Sequence, residues 1–196
     1  MADPYSPDCN FTASVAQTTP NSKGETTKVS IGIYLLDLVQ LDEIRESFEA
    51  KFFMQLQWQD PRLAEQLQNR SIPYCQIAMD DIWQPQAYVT NQLRLFREFD
   101  RTVLVNSQGT VTYRQIFDAE LNSPLDFTKF PFDTQHLFLK IVSLVYKPEE
   151  VEFFANQQQN GVYDKLHFVG WSVVAAATRS GVAEIKLLQG SLPFFE

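Results

Sequence analysis

Thr102-Val103-Leu104-Val105-Asn106-Ser107-Gln108-Gly109-Thr110-Val111-Thr112-Tyr113 decides the fold class. Two β-branched runs flank a turn-rich tetrad, Asn106 to Gly109, which is a hairpin signature. On the N-terminal side, Arg101–Val105, Leu93–Phe99 and Gln76–Ile82 read as strands. Further back, Phe48, Phe52, Met54, Leu56 and Trp58 fall on a long period-2 pattern, and Val29–Leu36 alternates like a half-buried strand. Leu63 and Leu67 stand at i, i+4 and predict one or two helical turns over Arg62–Asn69. Downstream, Gln135–Val145, Val151–Ala155, Val169–Thr178 and Val182–Leu188 complete the set, with Arg179-Ser180-Gly181 read as a tight turn. About ten short strands without sustained helical periodicity make the fold class all-β, an antiparallel sandwich or barrel.

The 196 residues fit one domain, and 16 Phe predict a thick aromatic core. A net charge of -8 leaves nothing to neutralise phosphates, so no nucleic acid partner is expected. Residues 1–28 are rich in Thr, Ser, Asn, Pro and Gly and read as a flexible leader, with the domain over 29–196. Met1-Ala2-Asp3-Pro4 lacks the features of a signal peptide, and no run of eighteen apolar residues exists to cross a membrane. Cys9 and Cys75 are far apart and are expected to be unpaired thiols, Cys75 partly buried. Asn10-Phe11-Thr12 and Asn69-Arg70-Ser71 match a glycosylation sequon that chance explains.

No catalytic constellation emerges. His136 and His167 sit in no metal-ligand spacing, and no nucleophile elbow, phosphate-binding loop or zinc-protease motif is present. The pairs Asp80-Asp81 and Glu149-Glu150 read as solvated turns. No enzyme activity and no cofactor are expected. What stands out is a series of rigid aromatic turns: Trp58-Gln59-Asp60-Pro61-Arg62-Leu63, Ile82-Trp83-Gln84-Pro85 with Asn91 beyond it, and Ser123-Pro124-Leu125-Asp126-Phe127-Thr128-Lys129-Phe130-Pro131-Phe132-Asp133 followed by Gln135. Phe130-Pro131 is an aromatic–Pro bond, for which a cis form with Phe132 at the loop tip is expected.

In this order the motifs resemble the extracellular ligand-binding domain of the Cys-loop receptor superfamily, especially the prokaryotic pentameric ligand-gated ion channels. The resemblance runs from about Val29 to about Trp171 and implies an immunoglobulin-like antiparallel β-sandwich of about ten strands. It also implies a homopentamer, joined to a transmembrane domain in the full-length channel, on the periplasmic or extracellular face of the membrane. Without that membrane domain the chain is expected to be soluble. Ser123 and Leu137 stand where animal receptors carry the two cysteines, with thirteen residues between them. By the same resemblance, Phe130, Pro131, Phe132 and Asp133 rest on the membrane domain, and Asp42 and Glu43 form the other half of that coupling surface.

The family's ligand site lies between subunits and is an aromatic box for a cation. The matched positions depart from it. Phe53 fits the complementary-face aromatic and Arg114 projects beside it, but Thr90 and Leu144 replace the two principal-face aromatics. A quaternary amine is therefore not expected, whereas a carboxylate, a proton or a divalent cation fits. Glu149, Glu150 and Glu152 are the acidic group considered for a cation. Either Arg179-Ser180-Gly181 is a very short cap over the ligand, with Val182–Gln189 as the last strand, or the chain stops inside the cap; the short cap is favoured. The alternative to a channel module is a freestanding binding protein of the same fold. The ending Leu192-Pro193-Phe194-Phe195-Glu196 favours the channel module.

Overall fold

Alternating apolar residues generate most of the regular structure in the computed structural model, which describes residues 5–6, 14–21, 24–67, 74–166, 168–185 and 190–196. In chain order these form β1 (Tyr5–Ser6), α1 (Ser14–Gln17), β2 (Thr27–Asp42), β3 (Ser47–Gln59), α2 (Pro61–Leu67), β4 (Tyr74–Ala78), β5 (Ala87–Val89) and β6 (Gln92–Arg97). They continue as β7 (Thr102–Asn106), β8 (Thr110–Asn122), β9 (Ile141–Ser143), β10 (Val151–Ala155), β11 (Gly161–Val162), β12 (Ser180–Ile185) and β13 (Gly190–Phe195). One sheet has nine strands along the path β1-β4-β7-β8-β3-β2-β10, with β11 on β2 and β6 on β8; the other is β12-β13-β9-β5. The fold is a β-sandwich.

Its centre is aromatic. The even-numbered residues of β3 from Phe48 to Trp58 point inward and are all buried, as period 2 demands. Trp58 meets Trp83 edge-on at 5.9 Å, and Phe52 stacks on Phe117 at 5.4 Å. The β3–β8 ladder runs from Ser47↔Asn122 to Gln59↔Thr110 without a register shift. By contrast, β2–β3 carries two irregularities, at Leu35/Asp37 and Leu38/Gln40.

The Trp-x-Asp-x-Arg turn has a structural meaning. Asp60 is fully buried, and its carboxylate accepts from the Arg62 backbone amide and from Arg62 Nε and Nη2. Pro61 opens α2, where its missing N–H costs nothing, and Leu63 and Leu67 are buried beneath it. Arg62 reaches on to the backbone oxygens of Val15 and Thr18. Gly109 closes the β7–β8 hairpin at φ 78°; a side chain there would lie 2.3 Å from the Asp60 carbonyl.

Several expectations change. The sheets are not wholly antiparallel: β1 on β4, β10 on β2 and β11 on β2 are parallel pairs. Thirteen strands are present among the described residues, because short pieces such as β1 and β11 add to the edges. The boundary placed at 28 falls inside β2, and Val15, within the stretch read as a leader, is buried in the core. Cys75 is disulfide-bonded and 1% exposed, which corrects the expectation of unpaired thiols. Two residues' worth of pairing between Tyr5-Ser6 and Tyr74-Cys75 carries the N-terminal segment alongside β4, so sequence distance misled. Cys9, both sequons and His167 lie outside the described residues.

Only Ile141–Ser143 of the expected Gln135–Val145 strand forms a ladder. Before it, side chains take the place of a neighbouring strand: Asn91 Nδ2 donates to Phe138 O, Asn91 Oδ1 accepts from Lys140 N, and Ser123 Oγ donates to His136 O. Ser172–Thr178 is likewise not a strand; its ladder begins where Arg179 exchanges both backbone bonds with Glu196. The expected turn at Arg179-Ser180-Gly181 is corrected too. Ser180 and Gly181 already pair with Phe195 and Phe194, so the hairpin is β12–β13, and its connection, 186–189, lies outside the described residues. Gly181 serves close approach: a Cβ there would touch the Phe194 ring at 3.3 Å.

Candidate functional site

The unbroken β3–β8 register sets one row of outward residues against the next. Phe53 lies opposite Ile116 and Tyr34, and Gln55 lies opposite Arg114 and Gly32. Arg114 Nε donates to Gln55 Oε1 at 2.8 Å, and Gln55 Nε2 donates to Gln159 Oε1 at 2.7 Å. Tyr34, Phe53, Gln55, Arg114 and Gln159 line an open depression of about 470 Å³. Of these, the sequence reading names Phe53 and Arg114 but not Tyr34, Gln55 or Gln159. Period 2 from Phe53 could have found Gln55; nothing in the run Gln157-Gln158-Gln159 marked its last member.

Thr90 and Leu144 lie just beyond the ends of β5 and β9 in the other sheet. The Thr90 amide and hydroxyl both donate to Lys140 O, at 2.8 and 3.2 Å, and Leu144 is exposed just beyond β9. The single chain therefore does not bring them into the Phe53–Arg114 depression. Tyr88, two residues before Thr90, stands in register with Val142 and Phe194 across β5, β9 and β13. Phe194 has Lys140 Nζ 5.7 Å and the Arg179 guanidinium 6.0 Å from its ring centre. Tyr146 leans on Trp83, and burial pushes its phenol upward in pKa.

A third group gathers at the end of β3 and β8. Asp42 ends β2, and its Oδ1 accepts from the Arg45 amide in the Glu43–Glu46 turn. Glu120 is buried with Arg45 Nη1 at 2.9 Å and Arg94 Nε at 2.7 Å. Ser123 N donates to Glu46 O at 2.8 Å, which ties the turn to the base of the following loop. In that loop the Phe130-Pro131 bond is cis, Asp133 accepts from Gln135 Nε2, and Phe132 is 89% exposed. Hydrogen bonds from the Thr128 side chain and then its backbone hold the Asp126 carboxyl below its ordinary range.

No group of three or more potential metal-ligating side chains occurs among the described residues. Glu150 accepts from the Lys147 amide, and Glu152 lies 4.0 Å from Lys28. No helix among them is long and apolar enough to cross a membrane.

Residues 14–182 match the family model for the neurotransmitter-gated ion-channel ligand binding domain. The chain belongs to this family. It is accordingly a ligand-binding domain and not an enzyme. It is 29% identical over 155 residues to a proton-gated ion channel of Gloeobacter violaceus, covering 79% of this chain and 43% of that protein. It is 27% identical over 154 residues to the acetylcholine receptor subunit delta of Xenopus laevis, covering 77% and 30%. Against the gamma-aminobutyric acid receptor subunit pi of Rattus norvegicus it is 25% identical over 138 residues, covering 68% and 31%. The chain thus spans less than half the length of these relatives. Its fold is similar to that of AChBP from Bulinus truncatus, with a TM-score of 0.75 and 14% identity over 93% of this chain and 91% of that one.

Proposed function

We propose that this ligand-binding domain is the sensor of a homopentameric ligand-gated ion channel on the periplasmic or extracellular face of a membrane. Ligand sits between subunits, beside Phe53 and Arg114 of one chain and Thr90 and Leu144 of its neighbour. Binding shifts a closed/open equilibrium in a transmembrane pore through Asp42, Glu43 and the Phe130–Asp133 loop tip. The exposure of Phe132 at the tip supports this contact, since a bare ring of that size suits an apolar partner surface.

The observation that carries the ligand class is Arg114, whose side-chain hydrogen bond goes from Nε to Gln55 and which forms no ion pair among the described residues. A permanent positive charge beside Phe53 and Tyr34 repels an amine and accepts a carboxylate through two parallel hydrogen bonds. Calorimetry with small carboxylates, amines and divalent ions tests the reading. A carboxylate should bind and be lost in Arg114→Gln; tight amine binding lost in Phe53→Ala would overturn it. Divalent or proton sensing by Glu149, Glu150 and Glu152 is the competing stimulus within the same panel.

A second reading, a freestanding binding protein of the same fold, is favoured by the match over 91% of AChBP from Bulinus truncatus. The coding sequence following Glu196 separates the two: a pore-forming segment supports the channel, a stop codon the freestanding protein.

A further inference from the structure

Gln55 is a polar side chain on the outward face of β3, yet it is 4% exposed. Arg114 covers it from one side and Gln159 from the other. The direction of this chain of hydrogen bonds is fixed by chemistry. Arg Nε can only donate, so Gln55 must turn its oxygen to Arg114 and its nitrogen to Gln159, which must then offer its own oxygen.

Gln159 is delivered by the loop after β10, which is pinned to β2. Asn156 N donates to Ile31 O at 2.9 Å, and Ile33 N donates to Asn160 Oδ1 at 2.7 Å. Between these two anchors lies Gly32. A Cβ there would sit 2.6 Å from Gln159 Cβ and 3.1 Å from the Gln159 carbonyl oxygen, so the loop backbone itself would have to move. Gly32 is therefore the seat that lets Gln159 reach Gln55.

The geometry points to Gln159 as the specificity-determining residue of the depression: through Gln55 it holds Arg114 by Nε and leaves the two Nη groups to take the carboxylate of a ligand whose apolar body lies on Phe53 and Tyr34. The inference rests on the carboxylate reading above and adds what enforces it. A free guanidinium rotates, and its donors are shared with water. One fixed at Nε presents a planar pair of donors at low entropic cost, which is what bidentate recognition needs. Gln159 also keeps the depression free of negative charge. Replacing it with Glu retains the acceptor for Gln55 but places a carboxylate beside the site, which disfavours an anionic ligand and favours an amine.

The test uses the 196-residue chain, benzoate and phenethylamine as probes, and the Arg114 Nε–H resonance as a readout that needs no ligand. In the unsubstituted chain that proton should be protected from solvent exchange and benzoate should bind. In Gln159→Ala and in Gly32→Ala, exchange should speed at least tenfold and benzoate affinity should fall at least tenfold. Gln159→Glu should keep the proton protected while reversing the preference from benzoate to phenethylamine. Unchanged exchange in Gln159→Ala overturns the tether. Faster exchange with unchanged benzoate affinity overturns the assignment of specificity. A protected proton, lost in Gln159→Ala, in a chain that binds no carboxylate probe overturns the ligand class and leaves the tether standing.

Discussion

Ser123 Oγ donates to the carbonyl oxygen of His136 at 2.9 Å, across the base of the loop that runs to Leu137. A hydrogen bond between loop ends thus occupies the place where the resemblance puts a disulfide in animal relatives. The Ser123 amide holds Glu46 O as well, so one fully buried residue ties the loop to the β2–β3 turn. Ser123→Ala removes the hydroxyl and should cost about 1 kcal/mol. For a domain of this size that lowers Tm by about 2–4 °C, measurable by calorimetry. An unchanged Tm would mean that the loop base is held by other contacts.

Asn91 makes three bonds with one side chain: to Asn122 O, to Phe138 O, and from Lys140 N. It replaces the ladder partner that the stretch before β9 lacks. Asn91→Ala should therefore destabilise the chain by about 2 kcal/mol, more than Ser123→Ala. Hydrogen exchange should show the loss concentrated at Lys140 and its neighbours.

Glu120 faces two guanidiniums while itself buried, and Arg45 and Arg94 are each about half exposed (53% and 54%). Removing the carboxylate in Glu120→Ala should cost about 2 kcal/mol, below the ~3–5 for breaking a fully buried pair, because the arginines can turn to water. A double-mutant cycle with Arg45→Ala should give a coupling near 1 kcal/mol, at the upper end of about 0.2–1 for exposed pairs. Zero coupling would show that the Arg45–Glu120 pair adds nothing to the Asp42 Oδ1–Arg45 N and Glu46 O–Ser123 N bonds that hold the turn.

Asp126 titrates below its ordinary value of 3.8 because Thr128 donates to the ionised form. A carboxyl depressed in the folded state stabilises the fold above its unfolded pKa, and that contribution is lost as pH falls through the folded value. The Asp126–Thr128 turn should consequently persist at mildly acidic pH. An NMR titration of the Asp126 carboxyl with its midpoint at or above 3.8 would contradict this.

The strands with one buried face were legible in sequence because alternation states which side is inside: the even residues of β3 and the hairpin around Gly109 follow period 2 and turn chemistry. The stretches before β9 and after Trp171 looked like strands and are not. Composition reports that a segment can pair, whereas Asn91 and Ser123 decide that side chains take up the backbone groups instead. The depression was half legible. Phe53 and Arg114 came from matched positions, but Gln159 enters through an absence of bulk at Gly32, more than a hundred residues away in sequence. The Cys75 disulfide was hidden for the same reason, since the parallel β1–β4 contact that brings distant segments together has no local signature.

The unshifted β3–β8 ladder fixes a distance between two groups of residues. From Gln55 in the depression to Ser47 beside the turn is eight residues, a beam of roughly 27 Å at about 3.4 Å per residue. Its thirteen paired positions keep both ends in one continuous register with β8. Its other neighbour, β2, is interrupted along the same span: both of its register irregularities lie between the row of Gly32 and the end at Asp42, so only the β8 side carries the register unbroken from the depression to the turn.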